Sequence, residues 1–380
     1  GSGQCSESKR FPITSFRSLP LFRKFLRVPR GLFSKSSLGR VRGRAPRKAT
    51  LDAGGILIEE VVVRRFGDIA RETLSNLRRM DFALLAATSA LSLASILTLA
   101  GGYSSFGVKR IVMQLGATCV GLVLMLLIAS IDYRVIAQKL GVVIYGASLL
   151  LLVVTLIFGT SEGENKSWLY LPLIPFGIQP SEFIKASLLL TFSYHLYRVR
   201  TQINRPLVLL TLLAHIGGYV GLILLSGDLG VALVYLGICV VMLFCAGLSM
   251  WYFVGGAGVF ALAAPLGWKL LREDQKARIL VGFNPDIDPL GKGYQPIKSR
   301  SSVANGGVFG RGMFGGSVYK TYAASHTDII FGTFCEKFGL VGALAVVGLL
   351  VFIVLRVVKL ARSCRGDCGT YICAGFAGMI

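Results

Sequence analysis

Charge is what this sequence has least of. Only 16% of its 380 residues are charged, against 53% hydrophobic, whereas a soluble domain carries about 25% charged residues. With a mean hydropathy of +0.66, an ordinary soluble protein is excluded. Histidine is almost missing: there are three, at positions 195, 215 and 326, and they read as scattered, which argues against a histidine metal site. Cysteine is present but badly placed for chemistry. Cys119, Cys239, Cys245, Cys335 and Cys373 lie in apolar runs, and Cys364 and Cys368 have no histidine near them. Neither a disulfide framework nor a zinc site is expected, and the cysteines read as small apolar side chains. No glycine-rich loop ends in the lysine of a nucleotide-binding motif, so no nucleotide cofactor is expected.

What the chain does have is long apolar runs. They lie at about 82–100, 111–131, 140–159, 180–196, 206–225, 229–248, 251–271 and 327–357, with a ninth beginning near 369. A helical span needs about 20 such residues, and among open structures only helices satisfy their own backbone in lipid. The expected fold class is therefore all-α, a polytopic helical membrane protein. The opening Gly1-Ser2-Gly3-Gln4 and the stop at Ile380, about ten residues into the last run, make both ends read as cut.

The net charge of +22 is concentrated at one end. Residues 1–57 read as a basic, disordered arm, residues 58–80 as an amphipathic juxtamembrane helix, and residues 81–380 as the transmembrane domain. On the helix, Val62, Phe66, Ile69, Thr73 and Leu77 share a face, with charges opposite. A basic arm suits nucleic acid in a soluble protein. Beside a membrane span it suits anionic lipid, so membrane lipids and no nucleic acid are the expected contacts. Residues 1–50 are rich in Arg and Ser with one acid, Glu7. An organelle transit peptide has that composition too, which keeps a plastid membrane as a second location. Arg134, Lys139, Arg198, Arg200, Arg205, Arg356, Lys359, Arg362 and Arg365 fall on the N-terminal side of the alternating spans. Positive charge marks the cytoplasmic side, so a cytoplasmic N-terminus and an external 272–326 loop follow.

That loop is the long one between spans, and it shows no obvious secondary structure. It holds nine glycines and eight Lys or Arg against four acids, and loops of this length are usually functional or disordered. Within it, the stretch FNPDIDPLGKGYQ places Asp288 ahead of Pro289 in a turn-rich segment. Taken alone, Asp288 reads as a turn aspartate bonding its own backbone or as a functional carboxylate. Asp286 reads as solvated. Asp228 reads as the cap of the span starting at 229. Glu182 and Lys185 share a helix face, either as an ion pair or as the lining of a polar path, and Glu336 leaves the same choice open. Trp168 suits the aromatic belt of a membrane boundary. Gly306, Gly307, Gly310 and Gly312 allow tight turns or a close backbone approach to ligand.

Several stretches, in this order, resemble the SEDS family of RodA and FtsW type. They are SWLYLPLIPFGIQPSEFIKASLL (167–189), GDLGVALV (227–234), RILVGFNPDIDPLGKGYQ (278–295), ANGGVFGRG (304–312) and HTDIIFGTFCEKFGLVG (326–342). The resemblance implies a ten-span fold, of which about eight to nine spans are present here. It implies a peptidoglycan glycosyltransferase acting on lipid II, a lipid-linked disaccharide-pentapeptide, at the outer face of the cytoplasmic membrane during elongation or division. It also implies a class B penicillin-binding protein, a transpeptidase, as partner. Asp288 falls on the family's catalytic aspartate in its DPxGxGYQ motif.

This chain departs from the pattern at Lys298, Ala323, Ala324, Lys337 and the serine-glycine pair of SGDLG. REDQKARI leans towards the RodA type and GGSVYK towards the FtsW type. Polymerising a lipid-linked sugar needs a base for the acceptor hydroxyl and cations for the diphosphate leaving group. A single inverting displacement with Asp288 as base is therefore expected. Arg278 and Arg110 are candidates for phosphate, and Lys185, Glu182, Trp168, Gln295, Ser299, Gly306, Gly307 and Glu336 for other substrate contacts. No cofactor is demanded, although a divalent cation, Mg2+ or Mn2+, between Asp288 and the diphosphate is compatible. Two further classes stay open: a flippase for the lipid-linked precursor, and a catalytically weak scaffold for the transpeptidase.

Overall fold

The computed structural model describes residues 80–162, 165–170, 177–321, 325, 327–364 and 366–380. The arm expected over 1–57 lies outside these residues, as does the expected helix over 58–80 apart from Met80. The described chain is helical, with one small hairpin. Helices α1 (Phe82–Gly101), the short α2 (Tyr103–Phe106), α3 (Val108–Ala129) and α4 (Tyr133–Phe158) lead into strands β1 (Thr160–Glu162) and β2 (Asn165–Trp168). Then come α5 (Pro180–Val199), α6 (Pro206–Leu225), α7 (Leu229–Cys245) and α8 (Met250–Leu270). Helices α9 (Glu273–Phe283) and α10 (Tyr294–Gly306) precede α11 (Ile330–Ser363) and α12 (Asp367–Met379).

Among the described residues, six helices are long and apolar enough to cross a membrane: α1, α3, α4, α6, α8 and α11. At 17 residues α7 is shorter but equally apolar. Helix α5 has the length but carries Glu182, Lys185, His195 and Arg198. The polytopic helical fold expected from the apolar runs is what the chain adopts.

Some boundaries differ, for physical reasons. Helix α4 begins at Tyr133 rather than near 140, because the Asp132 side chain accepts from the Arg134 N–H at 2.9 Å and caps it. Hydropathy stopped short at Arg134 and Lys139, which ride on the helix. The 272–326 segment is not a structureless loop: it holds α9 and α10. Their sequences are too polar to announce a buried face, so the periodic signal is weak. Glu273 and Asp274 sit in the first turn of α9, where the helix dipole favours acids.

The main core joins α4, α5, α6, α7 and α12. Leu188, Phe192, Leu196, Tyr219, Tyr235, Ile238 and Met242 are fully or almost fully buried there. Two of the three histidines are not scattered, which corrects the sequence reading; His326 lies outside the described residues. Residues 195 and 215 are twenty apart in sequence, yet α5 and α6 bring His195 Nδ1 within 3.2 Å of His215 Nδ1. From them a polar column climbs the bundle. His215 Nε2 lies 3.2 Å from Thr191 Oγ1, and Thr191 donates to the Ser187 carbonyl at 2.8 Å. Ser187 Oγ lies 3.0 Å from the Tyr219 hydroxyl and 2.7 Å from Ser148 Oγ. Thr191 has spent its proton, so His215 Nε2–H must donate to it. Nδ1 of His215 then accepts from His195 Nδ1–H. Interhelical bonds of this kind hold membrane bundles where burial of apolar surface drives little.

A second contact joins α1 to α11 through Ala87, Ile353 and Val357. Asp81 fastens one end of it. Its Oδ1 accepts from the N–H groups of Ala83 (3.1 Å) and Leu84 (3.2 Å), and Arg356 Nε donates to Oδ2 at 2.6 Å. Burial works to raise the Asp81 pKa, but Arg356 and the two N–H groups outweigh it and hold the carboxyl below its ordinary value of 3.8. A lowered carboxylate pKa contributes stability above the unfolded value that is lost as pH falls through the folded value. Asp81→Ala is expected to destabilise by about 1–2 kcal/mol, the usual worth of such a cap. In detergent melts, that difference should hold at pH 7 and shrink as the pH falls below the ordinary carboxyl value of 3.8.

Candidate functional site

Two clusters of residues converge at the end of the bundle that carries α9 and α10. The first gathers the SWLY, QPSE and GDLG stretches. Strand β2 reaches the turn between α6 and α7, where the Lys166 N–H donates to the Ser226 carbonyl at 3.2 Å. Asp228 caps α7 through the Val231 N–H at 3.2 Å, as its position ahead of 229 predicted, and accepts from Gln179 Nε2 at 2.9 Å. Gln275 at the start of α9 donates to the Gly227 carbonyl at 3.3 Å. Half-buried Trp168 ends β2, and a Cβ on Gly177 would lie 3.0 Å from its ring. Helix α5 starts beneath this lid. Its Lys185 Nζ donates to Glu182 Oε1 at 2.7 Å, with Glu182 half in solvent. That pair is real, and it sits at a mouth rather than deep in lipid.

The second cluster is built on a break in α11. Gly339 takes φ +67, outside the helical region, so the turn around it loses its own hydrogen bonds. The 306–312 segment supplies replacements on both sides. The Arg311 and Gly312 N–H groups donate to the carbonyls of Glu336 and Lys337, both at 3.0 Å. The Leu340 and Val341 N–H groups donate to the carbonyls of Gly307 and Val308 at 2.9 and 3.1 Å. Non-helical backbone at membrane depth is tolerated only when satisfied in this way. Close approach explains the glycines. A Cβ on Gly306 would lie 2.1 Å from the Cys335 carbonyl, and one on Gly310 the same distance from that of Lys337. Gly306 and Gly310 thus press their backbone against α11, while Gly307 faces open space.

Glu336 is buried to 0% exposure. Its Oε1 accepts from Asn305 Nδ2 (2.6 Å) and from the N–H groups of Ser317 (2.8 Å) and Val318 (3.0 Å); its Oε2 accepts from the Tyr319 N–H (3.2 Å). In this structure it faces protein, not an open path, and it folds the segment after the glycines. Lys337, at 1% exposure, donates to the carbonyls of Gly101 (3.0 Å) and Met313 (2.9 Å). Its ammonium also lies 4.1 Å from the centre of the Tyr319 ring. Burial, together with the nearby Glu336 carboxylate, pushes the Tyr319 phenol up. Lys337 therefore staples the end of α1 to this segment.

Asp288 sits between α9 and α10, partly exposed. Its Oδ1 accepts from the Gly291 N–H at 3.0 Å and its Oδ2 from the Lys292 N–H at 2.8 Å. Two backbone donors fix the carboxylate and leave each oxygen further lone pairs. A Cβ on Gly291 would lie 2.2 Å from Asp288 Oδ2, so a larger residue there would push the carboxylate out of this position. Gln295, the second residue of α10, donates to Asp328 Oδ2 at 2.9 Å, which ties this loop to the entrance of α11. Ser299 packs against Gly332, where a Cβ would meet its Oγ at 3.0 Å. Arg278 and Arg110 are exposed, and Arg110 donates to the Phe106 carbonyl at 3.1 Å. No hydrogen bond or ion pair among the described residues joins either arginine to Asp288. Nor do any three His, Cys, Asp or Glu side chains among those residues gather to hold a metal.

The sequence reading missed Asp328, Asn305 and Arg311, although each lies in a quoted motif. Their polar character was the available signal, and the glycines beside two of them drew attention instead.

Comparison with known proteins gives a consistent picture. The profile of the FtsW, RodA and SpoVE cell cycle proteins matches residues 77–380. The chain is 30% identical over 276 residues to a probable peptidoglycan glycosyltransferase FtsW of Trichlorobacter lovleyi, covering 70% of this chain and 69% of that one. It is 30% identical over 268 residues to the peptidoglycan glycosyltransferase MrdB of Escherichia coli, covering 69% and 70%. Among solved structures, it matches a chain of a peptidoglycan synthase complex that coordinates polymerization and crosslinking, with a TM-score of 0.66 and 30% identity over 79% of this chain and 84% of that one. The rod shape determining protein RodA of Thermus thermophilus matches with a TM-score of 0.57 and 27% identity, over 79% and 81%.

Proposed function

The chain belongs to the FtsW/RodA/SpoVE family of cell cycle proteins and is a multi-pass peptidoglycan glycosyltransferase of bacterial type, and we propose that it polymerises lipid II with Asp288 as the general base. The observation that carries this reading is the unbroken family match over residues 77–380. The geometry supports the role given to Asp288. A base must lie within hydrogen-bond reach of the acceptor hydroxyl, and a half-exposed carboxylate anchored by two backbone N–H groups is held ready without rotamer search. As its proton passes to Asp288, the acceptor oxygen attacks the donor sugar carbon, and the bond to the lipid diphosphate breaks with inversion. Glu182, Lys185, Trp168, Gln295 and Ser299 line or brace the approach. Arg278 and Arg110 act as exposed cations for the diphosphate. Glu336, Gly306 and Gly307 serve through the segment they fold. A divalent cation at Asp288 would draw its other ligands from the diphosphate and water, since the protein supplies one carboxylate there.

The loop-bearing end faces outward, the N-terminus inward, and the partner is a class B penicillin-binding protein. The basic residues on the opposite side of the spans support the first part, and the likeness to a synthase-complex chain supports the second. The test is reconstitution of the full chain in vesicles with lipid II. Glycan strands longer than a dimer are the expected product. Movement of lipid II between leaflets without polymer would favour the flippase, and polymer appearing only when an active polymerase is added would favour the scaffold.

A further inference from the structure

Arg311 is the most firmly held exposed cation in the second cluster. Its backbone is pinned between Gly310 (φ +83) and Gly312 (φ +88), with its own N–H donating to the Glu336 carbonyl at 3.0 Å. The side chain is pinned as well: Nε donates to the Asn305 carbonyl at 2.8 Å and Nη2 to Asn305 Oδ1 at 3.1 Å. Asn305 is fixed in turn by Glu336. A guanidinium has five N–H donors, and these two bonds leave the rest unspent on an exposed side chain. No carboxylate among the described residues pairs with it. An exposed arginine normally gives up side-chain entropy when it binds, but this one has already lost it. Pre-ordered donors of this kind bind anions with little ordering left to do, and the guanidinium fork matches phosphate oxygens. Phe309 and Phe314, 83% and 67% exposed, flank it as apolar side chains suited to a membrane boundary.

Asp288 lies six residues ahead of α10, its carbonyl accepting from the N–H of the cap residue Gly293 at 2.9 Å, and Arg311 is bonded to Asn305 at the last turn. The 13 residues of α10 make a helix roughly 18 Å long at 1.5 Å per residue, and the two residues are held at its opposite ends. The leaving diphosphate is bonded to the very carbon under attack, so it must lie beside the base, beyond the reach of Arg311. The diphosphate at the far end of the acceptor lies a disaccharide away from the hydroxyl that Asp288 deprotonates. We propose that Arg311 binds the diphosphate of the acceptor lipid, and so sets where the acceptor sugar falls along α10. This inference rests on the glycosyltransferase reading of the site.

The full chain in phosphatidylcholine nanodiscs is titrated with lipid II for binding and polymerisation. Arg311→Gln is expected to raise KM by about 10- to 100-fold, the worth of one or two hydrogen bonds to a charged group, while kcat stays within about threefold of the parent. Arg311→Lys, which keeps the charge but not the fork, should fall between them. An unchanged KM in a folded Arg311→Gln protein overturns the proposal. If Arg311→Gln does not fold, Arg311→Lys decides by the same measure. A deficit that follows added phosphatidylglycerol rather than lipid II would assign the arginine to a phospholipid headgroup and also overturn it. Should the parent chain make no polymer, the glycosyltransferase reading fails. The binding titration still separates the variants: weaker lipid II binding by Arg311→Gln supports the anion site, and equal binding overturns it.

Discussion

Asp288→Asn is expected to lower lipid II polymerisation by about 10²- to 10⁴-fold, the range for removing a general base. Asn is the informative replacement because it is nearly the same size and keeps one carbonyl oxygen. That oxygen can still accept from the Gly291 N–H, as Oδ1 does now at 3.0 Å. The bond from Lys292, at 2.8 Å to Oδ2, is lost, because an amide NH2 then faces a backbone N–H. Losing one partly exposed hydrogen bond destabilises by about 1 kcal/mol, which shifts the melting temperature by only a few degrees. A residue that merely holds its turn would show that small thermal shift with most of the activity retained. A base shows the same shift with activity gone. Polymer made at more than a tenth of the parent rate by the Asn variant would remove Asp288 from the chemistry.

The second large effect is structural. Gly339→Ala is expected to destabilise the protein by about 2–5 kcal/mol, combining the left-handed backbone penalty with overpacking. The backbone there has φ +67, and a Cβ would lie 2.3 Å from the Gly310 nitrogen and 2.4 Å from the Val308 carbonyl. Both neighbours are backbone atoms already hydrogen-bonded, the Val308 carbonyl to the Val341 N–H across the break and the Gly310 N–H to the Gly306 carbonyl within the segment, so neither can turn aside. The chain can escape only by straightening α11, which frees the 306–312 segment from the carbonyls of Glu336 and Lys337. A drop of roughly 5–15 °C in melting temperature in detergent is expected, with polymerisation lost alongside. Gly348→Ala, further along the same helix and with open space around it, serves as the control. A Gly339→Ala protein that melts with the control would mean the break is a convenience and not a requirement.

The bundle was largely readable because apolar length is a strong signal: spans of about 20 residues have no rival among soluble elements. The GDLG aspartate was readable too, since Asp228 lies directly before an apolar run and capping is local. What escaped the sequence was long-range or polar. His195 and His215 looked isolated because their meeting depends on how α5 and α6 pack. Helices α9 and α10 were hidden by sequences with few apolar residues to mark a face. The break in α11 left one sign, the glycine at 339, and the same helix carries Gly332, Gly342 and Gly348 without a break. Glu336 and Lys337 were visible as charges inside a span, but whether such charges face ligand or protein is decided by the segment before them. Here that segment closes over both.

The polar column between α4, α5 and α6 has a consequence at the opposite end of α5. Ser187, Thr191 and His195 recur every four residues on that helix, and each meets a partner on α4 or α6. Sliding α5 by a single position would rotate it by about 100° and turn Ser187, Thr191 and His195 away from those partners. The helix is thereby keyed like a shaft in its collar. Glu182 and Lys185 ride the same shaft one turn above, so the compass bearing of the charged pair at the entrance is dictated by residues that no sugar will ever touch.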